Sequence, residues 1–259
     1  MKLYKDQMNK TIRLGDKPSR IVSLVPSQTE LLHDLGLENE VVGITKFCIH
    51  PDKWFRSKKR IGGTKNVDFE KVKALRPDLI IGNKEENAKE DIEKLKEIAP
   101  IWMSDIFNLE DAITALLKIG EITGEFSKAT KMAESIQVKF NQLSKVVADY
   151  PRKTVLYFIW NEPRFVAGKN TFIDDMLSLC GFENLSKNER YPEVETGVEP
   201  EYVFLSSEPY PFKEKHKEEF QKTYPNAKII IVDGEMFSWY GSRMLKSPEY
   251  FIELIRTEG

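Results

Sequence analysis

Cysteine is nearly missing from this sequence. Its 259 residues hold only Cys48 and Cys180, and two cysteines so far apart make neither a disulfide framework nor a CxxC metal or redox unit. An excess of positive charge is missing too, because 39 Lys and Arg stand against 41 Asp and Glu, a formal charge of -2 with no long basic block. The electrostatic footprint of a nucleic-acid binder is therefore absent. No apolar run reaches the roughly 18 residues of a membrane-spanning helix. The opening residues Met1 to Lys10 carry neither an apolar export segment nor a cleavage site. With 14 glycines and 13 prolines, collagen-like and low-complexity chains are excluded as well.

The signatures of catalysis are also lacking. There is no Gly-x-Ser-x-Gly elbow, no Gly-x-x-x-x-Gly-Lys phosphate loop, no Gly-x-Gly-x-x-Gly turn after a strand and no His-Glu-x-x-His. The three histidines, His33, His50 and His216, are scattered, and His33 and His216 read as surface side chains of helices rather than metal ligands. The expectation is a protein that is not an enzyme, with no catalytic residues, no metal site and no intrinsic cofactor.

What is present is a globular balance of 41% apolar and 31% charged residues, in a chain long enough for one large or two modest cores. Short β-branched runs alternate with amphipathic stretches, which predicts an α/β fold with mostly parallel sheets. Arg20-Ile-Val-Ser-Leu-Val-Pro26 reads as a strand, and Ser27-Gln-Thr-Glu30 has capping-box spacing for a helix that Gly36 stops. Val41 to Ile44, Pro77 to Gly82 and Ile101 to Met103 read as further strands. Asp68 opens a helix over Phe69 to Leu75, and Ala88 to Ile98 reads as another. From Leu109 the pattern is helical, with a break at Gly124. Phe126 to Asp149 then holds no glycine or proline. Ala129, Ala133, Ile136, Phe140 and Leu143 recur there at three- and four-residue steps, giving one amphipathic helix of about 36 Å at 1.5 Å per residue.

After Pro151 the alternation restarts with the same grammar. Lys153 to Trp160 repeats the opening strand, Cys180-Gly-Phe-Glu-Asn184 echoes Leu35-Gly-Leu-Glu-Asn39, and Glu199-Pro-Glu-Tyr-Val-Phe echoes Arg76-Pro-Asp-Leu-Ile-Ile. The order of these echoes predicts two related Rossmann-like α/β lobes, residues 1–125 and 150–259, joined by a backbone helix over 126–149.

Ligand crevices of α/β folds form outside the carboxyl ends of the strands. In the first half those positions are the loop Thr45 to Pro51, with Phe47 and His50, and the turn holding Thr64. In the second half they are Trp160 to Arg164, Arg190 to Glu193 with Tyr191, and Gly234 to Arg243 with Glu235, Phe237, Trp239 and Arg243. Rings supply flat contact area and arginine supplies planar hydrogen bonding. Phe237 and Trp239 either line such a cleft or tuck into the core. The composition suits a large, flat, amphipathic ligand.

The segments Arg20 to Glu30, Phe69 to Ile81, Cys180 to Asn184 and Phe237 to Arg243, taken in order, resemble the helical-backbone, or class III, substrate-binding proteins of ABC transporters. Within that family the vitamin B12-binding members are most similar. The resemblance runs from about Ile12 onward. It implies two α/β lobes on one long helix, and capture of a metal chelate in the cleft without covalent change. By this likeness Phe47 stands where those members have a cleft tyrosine, Tyr191 where they have a tryptophan, and Glu235 where they have an aspartate. Thr64 and Trp239 depart from a family tryptophan and arginine, with Arg243 four residues beyond Trp239. Cys180 matches a cysteine whose family partner near the C-terminus is missing, so both thiols are expected to be free.

The resemblance further implies delivery to an ABC permease and ATPase, with Glu70 and Glu201 as docking acids on opposite lobes. The other reading of both acids is that they complement helix N-termini. The expected ligand is a corrinoid, cobalamin above all, with haem or a ferric siderophore as the rival on the same fold. The expected state is a monomer in the periplasm or attached outside the cytoplasmic membrane. A cytoplasmic corrinoid carrier or sensor is the rival of another class, supported by the missing export segment.

Overall fold

The structure, a computed structural model, describes residues 2–258. The chain forms two compact units. The first runs up to Ile106 and adds Glu110–Glu134 and Tyr240–Arg243; the second holds Phe107–Leu109, Ser135–Trp239 and the chain from Met244 onward. The helix Phe126–Val147 is continuous, and the division between units falls inside it, between Glu134 and Ser135. Among the described residues no helix is long and apolar enough to cross a membrane.

The first unit is built on a five-stranded parallel sheet in the order Lys59–Arg60, Val41–Ile44, Ile21–Ser23, Leu79–Asn83, Ile101–Ser104. Nearly every residue of its four central and outer apolar strands is buried, as a parallel sheet covered on both faces requires. The side chain of Asp68 accepts the Lys71 N–H at 3.1 Å and so starts the helix Phe69–Leu75. The capping box expected at Ser27 to Glu30 does not form. Pro26 itself opens the helix Pro26–Asp34, whose N-cap Val25 contributes no side-chain bond. A proline at the first position lacks only an N–H that would be unpaired anyway, which leaves Glu30 for another partner.

The second unit carries the strands Phe165–Val166, Lys153–Trp160, Tyr202–Ser206 and Lys228–Val232 in that order, with Phe182–Asn184 also paired to Lys153–Trp160. All pairings are parallel except that of Phe165–Val166. One apolar cluster gathers Leu156, Phe158, Val203, Leu205, Phe212, Phe220 and Tyr224, with the Phe158 and Phe220 rings edge to face at 4.8 Å.

The internal echo has a topological counterpart. In each sheet the strand that opens the unit's α/β alternation pairs with the strand after the Pro-acid segment, and the closing strand lies beyond that one. Gly36 and Gly181, the glycines of the echoed segments, both follow a helix with positive φ, +86° and +88°. A left-handed residue is the usual way to end a helix, and glycine adopts it without a steric penalty.

Candidate ligand-binding loops

At the carboxyl ends of the first unit's strands, buried hydroxyls and one thiol pin the loop that begins at Thr45. Thr29 Oγ1 and Thr45 Oγ1 each lie 3.1 Å from Cys48 Sγ, and the Cys48 N–H donates to the Thr45 carbonyl at 3.2 Å. Burial pushes the Cys48 thiol upward from its ordinary pKa, so it is an anchor of the turn and not a reactive group. The fixed turn sends Phe47 and Ile49 outward, 50% and 46% exposed. The Lys46 ammonium stands 5.0 Å over the Phe47 ring. His50 and Thr64 are half-buried, and Asn87 Nδ2 donates to the Thr64 carbonyl at 3.0 Å.

Beneath these loops lies a polar network that sequence reasoning missed. The strands Ile21–Ser23, Leu79–Asn83 and Ile101–Ser104 each end on a buried polar residue. Gln28 Nε2 and Asn83 Nδ2 donate to Ser104 Oγ at 2.7 and 3.0 Å, and Thr29 Oγ1 donates to Ser23 Oγ at 2.8 Å. Asn83 Oδ1 accepts the backbone N–H groups of Glu85 and Glu86. The signal was present as a polar residue closing each apolar run. Such a network holds the rim of the sheet rigid, because each buried polar group depends on its partners.

Arg243 departs from its expected position on a ligand cleft. It is buried, and its Nε donates to the buried Glu30 Oε2 at 2.9 Å. The pair lies within the first unit and ties Tyr240–Arg243 to the helix Pro26–Asp34.

In the second unit, Trp160 closes its strand and is 42% exposed. Its Nε1 donates to the Glu162 carbonyl at 3.2 Å, and the ring meets Tyr210 edge to face at 5.6 Å. Tyr191 and Glu235 are half-buried. The Glu235 N–H donates to Asp233 Oδ1 at 3.0 Å in the first turn of the helix Gly234–Ser238.

The aromatic loop that follows turns inward. Phe237 has no exposed surface and packs on Phe251, Tyr157 and Phe204 at ring distances of 4.7, 5.2 and 6.1 Å. Trp239 is buried, and its Nε1 donates to Glu208 Oε1 at 2.8 Å while Ser238 Oγ donates to the same oxygen at 2.7 Å. Of the two readings left open for these rings, the structure supports packing. The Glu208 carboxyl is held above the usual carboxylate range, chiefly by burial and further by Glu235 and Asp233.

Glu70 is exposed in the first turn of its helix. Glu201 differs from the expectation that it heads a helix, because it precedes the strand Tyr202–Ser206. Its exposed carboxylate accepts the Thr154 N–H at 2.9 Å, the Thr154 hydroxyl at 3.1 Å and Lys153 Nζ at 3.2 Å. These contacts, the Thr154 N–H first, lower its pKa. His216 also departs from expectation. It is buried, accepts the Lys213 N–H on Nδ1 at 2.8 Å and meets the Tyr210 hydroxyl through Nε2 at 3.2 Å. Both cysteines are free and buried.

Residues 21–227 match the family model described as periplasmic binding protein. An uncharacterized ABC transporter substrate-binding lipoprotein of Bacillus subtilis, YvrC, is 29% identical over 71% of this chain and 60% of its own length. A vitamin B12-binding protein of Yersinia pestis is 27% identical over 67% of this chain and 62% of its own. The matched region thus spans about three fifths of these relatives. A periplasmic heme-binding protein from Pseudomonas aeruginosa shares the fold, with a TM-score of 0.82 at 22% identity over 93% of this chain and 94% of that one.

Proposed function

The chain belongs to the periplasmic binding protein family, and from that premise we propose that it captures a corrinoid, cobalamin above all, and hands it to the permease and ATPase of an ABC importer. The observation that carries this reading is a pair of exposed rings held at strand carboxyl ends, Phe47 on one unit and Trp160 on the other. Each is fixed by its own unit's hydrogen bonds. Fixed rings offer a flat ligand contact area at low entropic cost. The likeness to the vitamin B12-binding protein of Yersinia pestis supports a corrinoid as the ligand.

Family members are binding proteins and not enzymes, in keeping with the missing catalytic motifs. Phe47, His50, Thr64, Trp160, Tyr191 and Glu235 are the proposed contact residues, and Phe237, Trp239 and Arg243 are withdrawn from that role because they are buried and engaged. Glu70 and Glu201 are proposed to dock the permease. The protein is proposed to work as a monomer outside the cytoplasm.

The reading is tested by titrating cobalamin, dicyanocobinamide, haemin and a ferric catecholate while following tryptophan fluorescence. Saturable quenching by both corrinoids at lower concentration than by haemin or the catecholate supports it. Preference for either iron ligand overturns it.

A further inference from the structure

Two loops meet at the rim of the first unit's sheet. The strands Gly62–Gly63 and Asn66–Val67 pair antiparallel as a hairpin, and the Gly62 carbonyl accepts the Lys46 N–H at 2.8 Å. Asn87 ties this hairpin to the sheet. The residue is buried; its Nδ2 donates to the Thr64 carbonyl at 3.0 Å, and its Oδ1 accepts at 2.9 Å the N–H of Asn83, the last residue of the strand Leu79–Asn83. Buried and fully engaged, such a side chain holds the hairpin in one place.

The two glycines of the hairpin answer different demands. Gly62 has φ +103°, and a Cβ there would lie 2.5 Å from the Asn66 carbonyl oxygen, so the backbone itself requires glycine. Gly63 has no positive φ. A Cβ on it would meet the Phe47 ring first, with Cε2 at 3.3 Å, and the Lys46 stem next, with Cε at 3.5 Å. Gly63 is buried although Phe47 is exposed. The space that its missing side chain leaves is taken by the ring of Phe47 and the stem of Lys46.

Phe47 is thereby held at three places. Its N–H donates to Thr45 Oγ1 at 3.3 Å, its ring rests on Gly63, and the Lys46 ammonium stands over one face. A ring already fixed in the free protein loses little freedom when a ligand packs on what remains open.

We propose that Gly63 is a positioning residue of the ligand site: by lacking a side chain it seats the Phe47 ring on the hairpin backbone and sets the angle at which the open part of the ring meets a flat ligand. Its role in binding rests on the corrinoid reading; the seat itself does not.

The test uses the full chain with ¹³C-labelled phenylalanine rings, Phe47→Ala identifying the Phe47 signals. In the ligand-free wild type, nuclear Overhauser contacts are expected between the Phe47 ring and the Gly63 α protons, and their absence overturns the seat. Gly63→Ala asks the ring to give by only a few tenths of an ångström; it should move the Phe47 signals at an unchanged urea midpoint. Gly63→Val fills the seat and should weaken dicyanocobinamide about tenfold, the scale of coupling between residues in contact. In the Phe47→Ala background the same substitution should change affinity by about twofold or less. An equal loss in both backgrounds means that the substitution obstructs the ligand directly, which overturns the positioning role, as does an unchanged affinity in Gly63→Val. If Gly63→Val does not fold, Gly63→Ala carries the same comparison with a smaller loss. A protein that shows the ring contact but binds no corrinoid keeps the seat and overturns the corrinoid reading alone.

Discussion

Arg243 and Glu30, 213 positions apart in the chain, form a buried ion pair at 2.9 Å. Removing one partner takes the ion pair away from the other buried charge, which costs about 3–5 kcal/mol. Arg243→Ala and Glu30→Ala are therefore each expected to lower the urea midpoint strongly. A double replacement by apolar residues of similar volume should recover much of the loss. If Arg243→Ala keeps full stability and instead abolishes ligand binding, the pair is not structural.

Phe237 and Phe47 separate packing from binding. Truncating a fully buried phenylalanine to alanine costs about 3–5 kcal/mol, whereas an exposed one away from special features changes stability by about 0.5 kcal/mol or less. Phe237→Ala should unfold at much lower urea, while Phe47→Ala keeps its midpoint and loses affinity for dicyanocobinamide. Calorimetry on both variants checks the division, and an unchanged affinity for Phe47→Ala removes that residue from the site.

Glu208 sets a pH dependence whose sign follows from its raised pKa. The folded state holds this proton at a pH where the unfolded chain has released it. Its contribution is thus complete below the ordinary carboxylate range and is lost as pH rises through the raised value. Glu208→Gln keeps an acceptor for Trp239 and Ser238 without the charge, so its stability relative to wild type should increase as pH rises across that window. Urea denaturation from pH 4 to pH 8 reads this directly, and a difference independent of pH contradicts it.

Glu70 and Glu201 are predicted to matter for delivery and not for capture. The double variant Glu70→Ala with Glu201→Ala should bind dicyanocobinamide like wild type yet support less corrinoid uptake in cells that carry the importer. A loss of affinity in the purified double variant would place these acids elsewhere in the mechanism.

Both thiols should resist an aromatic disulfide reagent in the native protein, since burial raises the pKa of Cys48 and of Cys180 and the thiolate is the reactive form. Two equivalents should react only after denaturation. Fast native labelling of Cys48 would mean that the Thr45 loop opens.

Much of this architecture can be read from the amino-acid order. Apolar runs such as Val41–Ile44 and Lys153–Trp160 and the helix Phe69–Leu75 lie where their patterns predict, because local periodicity, caps and glycine stops act over a few residues. The repeated glycine after a helix and the repeated Pro-acid segment before a strand pointed to two related α/β lobes, while the strand order within each sheet came only from the structure. The loops at the strand ends were legible as positions. What each side chain does in them was not, because that depends on partners distant in sequence. Phe237 and Trp239 share a loop with Glu235, yet the two rings are drawn inward by Phe251 and Glu208. Arg243 has the composition of a ligand residue until Glu30 neutralises it, and His216, in a helix of charged residues, is buried by Tyr210 and Phe212. The sequence by itself determined the elements, their α/β order, the near-balance of charge and the scarcity of cysteine. Only the tertiary structure decided which polar and aromatic groups remain available to a ligand, since burial and hydrogen-bond satisfaction depend on contacts between distant segments.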